Sequence, residues 1–169
     1  MADRPSSSAR ESFIDTFEKE TATTLKLLRE FPAAEAELKP HPTCRSAREL
    51  VWTFSLELAL GMMALGDKLD LSGGMPPAPG TFDEVLGSFE RSRGAMLEML
   101  RSGPAEQFSG MVKFFTGPGT LDDWQKMEFL WFLLHDHIHH RGQLSVYQRM
   151  AGGKVPSIYG PTADEGWGG

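Results

Sequence analysis

Four of the five histidines in this 169-residue chain lie within six consecutive positions, from His135 to His140. On a helix each residue turns about 100° from its predecessor, so side chains four positions apart share a face whereas immediate neighbours do not. The cluster therefore contains two pairs whose side chains, both on one helix, can coordinate a metal ion together: His135 with His139, and Asp136 with His140. The spacing indicates a divalent-metal site.

Glu57 is a carboxylate in an otherwise apolar segment, "LVWTFSLELALGMMALG". Burial of an isolated carboxylate is costly, so Glu57 needs a metal ion, a proton or a basic partner. Thr53 lies one helical turn earlier on the same face and either adds a hydroxyl or lines a pocket. The candidate basic partners are Arg45, Arg93 and Arg141. The candidate metal set is Thr53, Glu57, Asp136 and His140.

A helical wheel of the last segment separates two groups of side chains. One arc, which includes Asp136 and His140, is predicted to face the core, together with Val146, Tyr147 and Met150. The opposite arc is predicted to face solvent and contains Lys126, His137, Arg141 and Gln148. Three apolar residues flank that polar arc and predict a homodimer formed through helix surfaces. They are Leu130, Leu134 and Leu144.

Gly and Pro are concentrated at residues 31–42, 71–80 and 102–119, and the segments between these stretches have helical character. The helices are predicted from about Ser8 to Glu30, from Ser46 to about Gly66, from Thr81 to about Ser102 and from Thr120 to Met150. "SARE" and "TFDE" predict capping boxes at the second and third helix starts. "GMVKFFTG" is expected to form at most a short extended piece. The pattern predicts an all-α four-helix bundle with at least one long crossover connection.

Composition predicts a single domain over residues 1–169, with loose ends at 1–7 and 163–169 and with Tyr159 and Trp167 anchoring the C-terminal segment. The net charge of −6 without a basic block argues against nucleic acid and anionic membrane surfaces and favours a small-molecule or protein partner. The lone Cys44 excludes an internal disulfide. The first residues lack the apolar core of a secretory signal, and Glu57 interrupts the longest apolar run, so a cytoplasmic location is expected.

The stretch "HDHIHHRGQLSVYQRMAGGKVPSIYGPTADE", together with "SARELVW", resembles the DinB/YfiT-like superfamily. The most specific parts of the likeness are "HHRGQ" and "YGPTADE". The resemblance implies a four-helix bundle with a long crossover, often dimeric, whose divalent ion is held by three histidines. It also implies activities such as thiol-dependent transfer or isomerisation, in which the metal activates bacillithiol or mycothiol as a thiolate.

Alignment on "HHRGQ" places the family's two ligands of the last helix at Asp136 and His140, and its ligand of the second helix at Thr53. One of the three expected histidines is therefore retained, and Glu57 is the candidate replacement. A set with one imidazole and two carboxylates favours Mn²⁺ or Fe²⁺ over the Zn²⁺ or Ni²⁺ of a three-histidine site, although Zn²⁺ remains open. His135 and His139 are the alternative pair.

Three functions are consistent with these residues. The first is a divalent-metal-dependent transferase of the thiol S-transferase type, which joins a low-molecular-weight thiol to a small electrophile. The second is a non-catalytic, stress-related binding or dimerisation bundle with a degenerate metal site, which predicts that the site residues close on one another and leave no ligand cavity. The third is a metal-dependent hydrolase, in which water replaces the thiol.

Overall fold

The computed structural model describes residues 8–166 and contains four long helices. Trp167 and the chain ends 1–7 and 167–169 lie outside the described residues. The helices are α1 (Ala9–Arg29), α2 (Ala47–Leu65), α3 (Phe82–Ser102) and α4 (Lys126–Met150). The predicted four-helix bundle is therefore confirmed. Within residues 8–166, none of these helices combines the length and the apolarity that a membrane span requires.

The first three helices begin at capping boxes. Ser8, Ser46 and Thr81 each accept a hydrogen bond from the backbone amide of the glutamate three residues later. That glutamate in turn accepts a hydrogen bond from the backbone amide of the cap residue, so two otherwise unpaired N–H groups are satisfied at each helix start. The two boxes predicted from "SARE" and "TFDE" are confirmed.

The cap at Ser46 fixes the start of the helix that carries Glu57, and it provides a first testable prediction. Ser46→Ala is expected to lower the free energy of unfolding by about 1 kcal/mol, because the Glu49 amide loses its hydroxyl acceptor. Urea denaturation measures the change. Ser92→Ala, in the middle of α3, is the matched control and should change stability by less than about 0.5 kcal/mol. Equal losses in the two variants would contradict a role for the cap.

Two connections cross the ends of the bundle. The principal neighbours of α1 are α3 and α4, and α2 has the same two neighbours. Consecutive helices α1 and α2 therefore occupy opposite corners, as do α3 and α4, and residues 30–46 and 103–125 span these diagonals. The predicted crossover is confirmed.

The segment before α4 differs from the prediction. α4 begins at Lys126 instead of Thr120, and "TLDDW" lies in a strand, β2 (Thr120–Gln125), that pairs antiparallel with β1 (Met111–Gly117). Gly119 turns the chain between them with φ of 71°, a conformation that glycine adopts readily. The extended piece expected at "GMVKFFTG" is thus half of a hairpin, held to the bundle by contacts of Phe114 and Trp124 with Phe129 and Phe132.

The predicted orientation of α4 is wrong for its polar arc, and Val146 and Met150, predicted to face the core, are exposed. Lys126, His137, Arg141 and Gln148 are all buried, and so are Leu130, Leu134 and Leu144. The reason is that each polar side chain finds partners inside the protein. Arg141 pairs with Glu20, and Gln148 donates to the carbonyl oxygens of Glu30 and Lys154. The homodimer stays a prediction, without the support of the three leucines, which lie in the core.

The C-terminal segment is tied to α1 and α4 through polar contacts. The Tyr159 hydroxyl donates to Glu20 and accepts from Arg141, both at 2.7 Å, while its ring remains exposed. Asp164 pairs with Arg149, and Glu165 forms two 2.7 Å bonds to Lys26. The contacts of Asp164 and Glu165 show that the described part of the predicted loose end 163–169 is held against the helices.

Candidate metal site

Glu57 lies on α2 where this helix faces α4, and both of its carboxylate oxygens contact histidines. Oε1 is 2.8 Å from Nδ1 of His140, and Oε2 is 3.1 Å from Nδ1 of His137. Glu57 is buried, so these two contacts replace the water that the carboxylate loses on folding. The arginines considered as partners bind elsewhere: Arg45 to Thr53, Arg93 to Thr21 and Arg141 to Glu20.

His137, predicted to face solvent, is instead buried and contacts Glu57. Its ring lies against Phe54 and Phe89, with centroid separations of 4.6 and 5.9 Å, and its Nε2 is 2.8 Å from the hydroxyl of Thr24. The histidine therefore bridges Glu57 on α2 to Thr24 on α1. The spacing of His137 in the sequence indicated its inward position. It lies seven positions from Leu130 and seven from Leu144, which places all three residues on one helical stripe.

Glu57, Asp136 and His140 come together at one point between α2 and α4. Each offers a potential ligand atom, and the three atoms lie within 4.8 Å of one another. Oδ2 of Asp136 is 3.7 Å from Nδ1 of His140, within ion-pair distance. Among the described residues this is the only such cluster of three or more histidine, cysteine, aspartate or glutamate side chains. One imidazole nitrogen and two carboxylate oxygens form a donor set that fits a divalent cation.

The remaining candidates lie apart from this cluster. Thr53 accepts a hydrogen bond from Nη1 of Arg45 at 2.7 Å, so its hydroxyl is engaged beside the site. His135 and His139 are exposed on α4. Nε2 of His139 is 2.8 Å from the side-chain amide of Gln143, and no third ligand from the described residues joins the pair.

A cleft of about 410 Å³ opens beside Glu57 and Asp136. Its volume falls within the range of small-molecule sites. The walls come from α2, α4, the hairpin and the connection between α2 and α3, and they include Trp52, Phe114 and Phe132. The non-catalytic alternative requires that no ligand cavity remains beside the site residues, so this cleft counts against it.

The contact with Glu57 raises the pKa of His140 above its ordinary value, and the charge of Asp136 adds to the effect, while burial and the charge of Arg45 oppose it. A histidine whose pKa is higher in the folded than in the unfolded state stabilises the fold at pH values below its unfolded-state pKa of about 6.5. This stabilisation is lost as pH rises through the folded-state pKa. The metal-free protein is therefore expected to lose stability on this account as pH rises above about 6.5.

Urea denaturation in the presence of a chelator at pH values from 6 to 9 measures this dependence. His140→Gln is expected to remove the His140 component, so its stability should change less over this range than that of the wild type. His139→Gln, which changes the exposed neighbour, should retain the wild-type dependence. An identical pH dependence in His140→Gln and the wild type would contradict the assignment.

Comparisons with known proteins agree with this architecture. A family model described as the DinB superfamily matches residues 16–144. An uncharacterized Bacillus subtilis (strain 168) protein, YrdA, is 28% identical over 163 residues, which cover 90% of this chain and 89% of the relative.

Two solved structures show the same fold. A DinB-like protein from Bacillus cereus ATCC 10987 has a TM-score of 0.72 and 23% identity, over 88% of this chain and 97% of that one. YfiT from Bacillus subtilis, described as a probable metal-dependent hydrolase with an unusual four-helix bundle topology, has a TM-score of 0.55 and 16% identity. The match to YfiT covers 89% of this chain and 93% of that one.

Proposed function

The chain belongs to the DinB superfamily, and on that premise we propose that it is a divalent-metal-dependent enzyme acting on a small electrophilic molecule. The observation that carries the proposal is the position of three potential ligand atoms, from Glu57, Asp136 and His140, beside a cleft of small-molecule size. A bundle fold alone would not indicate an activity, because one fold can serve many functions.

The ligand residues differ in how firmly they are held. Glu57 is buried and fixed by His137, so it provides the rigid side of the site. Asp136 is partly exposed and belongs to the cleft wall, so its carboxylate can adjust to an ion and to a substrate. Two carboxylates and a neutral imidazole balance a divalent charge. The oxygen-rich set favours Mn²⁺ or Fe²⁺, with Zn²⁺ and Ni²⁺ as the other candidates.

The reaction we propose is transfer of a low-molecular-weight thiol to an electrophilic carbon, as in thiol S-transferases. A divalent ion at this site supplies Lewis acidity, which lowers the pKa of a thiol or of water. The chain's own residues would position the reactants: Trp52, Phe114 and Phe132 in the cleft walls provide aromatic surface against which an apolar body can pack. The sulfur bonds to the electrophilic carbon, the leaving group departs with its electron pair, and the thiol proton passes to solvent.

Hydrolysis is the second candidate, and the description of YfiT as a probable metal-dependent hydrolase favours it. Water would then replace the thiol as the nucleophile in the same cleft. The hydrolase would need no second substrate, whereas the transferase would depend on thiol concentration. This difference decides between the two reactions.

The test is a pair of assays on protein prepared without an affinity tag and loaded with Mn²⁺ or Zn²⁺. Thiol transfer is followed with 1-chloro-2,4-dinitrobenzene and bacillithiol, mycothiol, glutathione or cysteine, and hydrolysis with 4-nitrophenyl esters in the absence of thiol. Turnover that requires a thiol, and that is lost after chelation and in Glu57→Gln, supports the transferase. Ester turnover without thiol supports the hydrolase. Equal turnover in the wild type and Glu57→Gln would overturn both.

A further inference from the structure

We propose that Arg45 selects the ligand of the cleft by binding an anionic group, so that the substrate is a small molecule with a carboxylate or sulfonate joined to an apolar body. The inference names a substrate class for the proposed enzyme. That the anion is a substrate rests on the proposed function, whereas anion binding by Arg45 does not. It is carried by the position of Arg45, by its lack of an acidic partner and by the composition of the cleft walls.

Arg45 is held at the edge of the cleft from both ends. Its carbonyl oxygen accepts a hydrogen bond from the Tyr147 hydroxyl at 2.9 Å, and its Nη1 donates to Thr53 at 2.7 Å. Thr53 lies four residues before Glu57, a rise of about 6 Å along the helix axis. The guanidinium is therefore fixed within the span of a small molecule from the candidate metal site.

The charge of Arg45 is not matched by a carboxylate. Within residues 8–166 it forms no ion pair, whereas Arg48, three residues later, binds Glu37. The nearest acidic residue along the chain, Glu49, is already engaged, because its Oε2 accepts from the backbone amide of Ser46. A guanidinium has five N–H donors, so most of those on Arg45 remain available to a ligand.

The other walls of the cleft define the rest of the ligand. Among its described lining residues Arg45 is the only cationic side chain, and Trp52, Phe114 and Phe132 provide aromatic surface. A guanidinium binds carboxylates and related oxyanions through paired hydrogen bonds. Three carboxylates line the cleft: a divalent ion would neutralise Glu57 and Asp136, and the third, Glu49, accepts from the Ser46 amide and lies 3.8 Å from Nζ of Lys39. An aromatic or alkyl acid therefore matches the cleft better than a cation or a sugar.

The probes are phenylacetate, its neutral analogue phenylacetamide, and naphthalene-2-sulfonate, whose sulfonate is a weak metal ligand. Affinities are measured by isothermal titration calorimetry on the full chain loaded with Mn²⁺ or Zn²⁺. The wild type is expected to bind phenylacetate roughly tenfold more tightly than phenylacetamide, as a charge-assisted contact would produce. Arg45→Gln should remove this preference and weaken naphthalene-2-sulfonate similarly. Arg45→Lys should retain part of it, and Arg91→Gln, exposed on α3, should retain all of it.

A second comparison separates Arg45 from the ion as the anion receptor. His140→Ala removes a metal ligand but leaves Arg45 in place. The loss of phenylacetate affinity caused by Arg45→Gln should therefore be similar in the wild type and in His140→Ala. If the preference for phenylacetate is lost in His140→Ala and kept in Arg45→Gln, the ion binds the anion and the proposal is overturned. Equal affinity of the wild type for acid and amide also overturns it. Selective anion binding without turnover of any electrophile would instead reject the proposed function and leave the role of Arg45 standing.

Discussion

His140→Ala is expected to abolish stoichiometric binding of a divalent ion. The imidazole is the only nitrogen donor in the cluster of Glu57, Asp136 and His140, and two carboxylates remain without it. Loss of a residue that merely supports a ligand lowers metal affinity by roughly 10- to 100-fold, so loss of a ligand itself should exceed that range. The expected result is wild-type protein with close to one ion per chain and a variant with almost none after desalting.

Inductively coupled plasma mass spectrometry on untagged protein, loaded with Mn²⁺ or Zn²⁺ and then desalted, measures this difference. The matched controls are His139→Ala and His135→Ala, which alter exposed histidines of the same helix. Both should retain the ion. If His140→Ala retains the ion and His135→Ala or His139→Ala loses it, the metal site is the alternative pair, His135 and His139. Wild-type protein without an ion after loading would reject the metal site altogether.

Helix starts were predictable from the sequence where they depend on local chemistry. The boxes at Ser46 and Thr81 involve residues three positions apart, so the pattern and the structure agree. The start of α4 was not predictable in the same way. Thr120 resembles a cap, but its segment pairs with residues on the other side of the turn at Gly119, and Gln125 precedes α4 without a side-chain cap. Strand pairing overrides the local signal there.

The parts of the candidate site that depend on the residues of a single helix were predictable from the sequence. The i, i+4 pair on α4 and the carboxylate in the apolar segment of α2 identified Asp136, His140 and Glu57, and the structure brings these three together. The inward position of His137 was missed because its partners come from other helices. A buried polar residue such as Arg141 likewise looks solvent-exposed until Glu20 on α1 is placed beside it.

His137→Leu is expected to lower the free energy of unfolding of the metal-free protein by about 1–3 kcal/mol, the cost typical of leaving a buried acceptor without its donor. The substitution leaves Oε2 of Glu57 without its donor while the carboxylate remains buried. His137→Gln retains a donor and should lose less. Thr24→Val removes the contact to Nε2 together with the hydrogen bond from the Thr24 hydroxyl to the Glu20 carbonyl oxygen, and it should cost about 1 kcal/mol. Urea denaturation at pH 7 in the presence of a chelator measures these changes.

A double-mutant cycle tests whether the loss arises at Glu57. If His137 acts through the carboxylate, the variant Glu57→Met with His137→Leu should be less destabilised than the sum of the two single changes, because it leaves no buried carboxylate oxygen without its donor. Additive losses would show that His137 contributes only by packing against Phe54 and Phe89. Ion affinity provides an independent readout: His137→Leu should weaken Mn²⁺ or Zn²⁺ binding by roughly 10- to 100-fold, since Glu57 loses the group that orients it. Unchanged affinity would make His137 a structural residue alone.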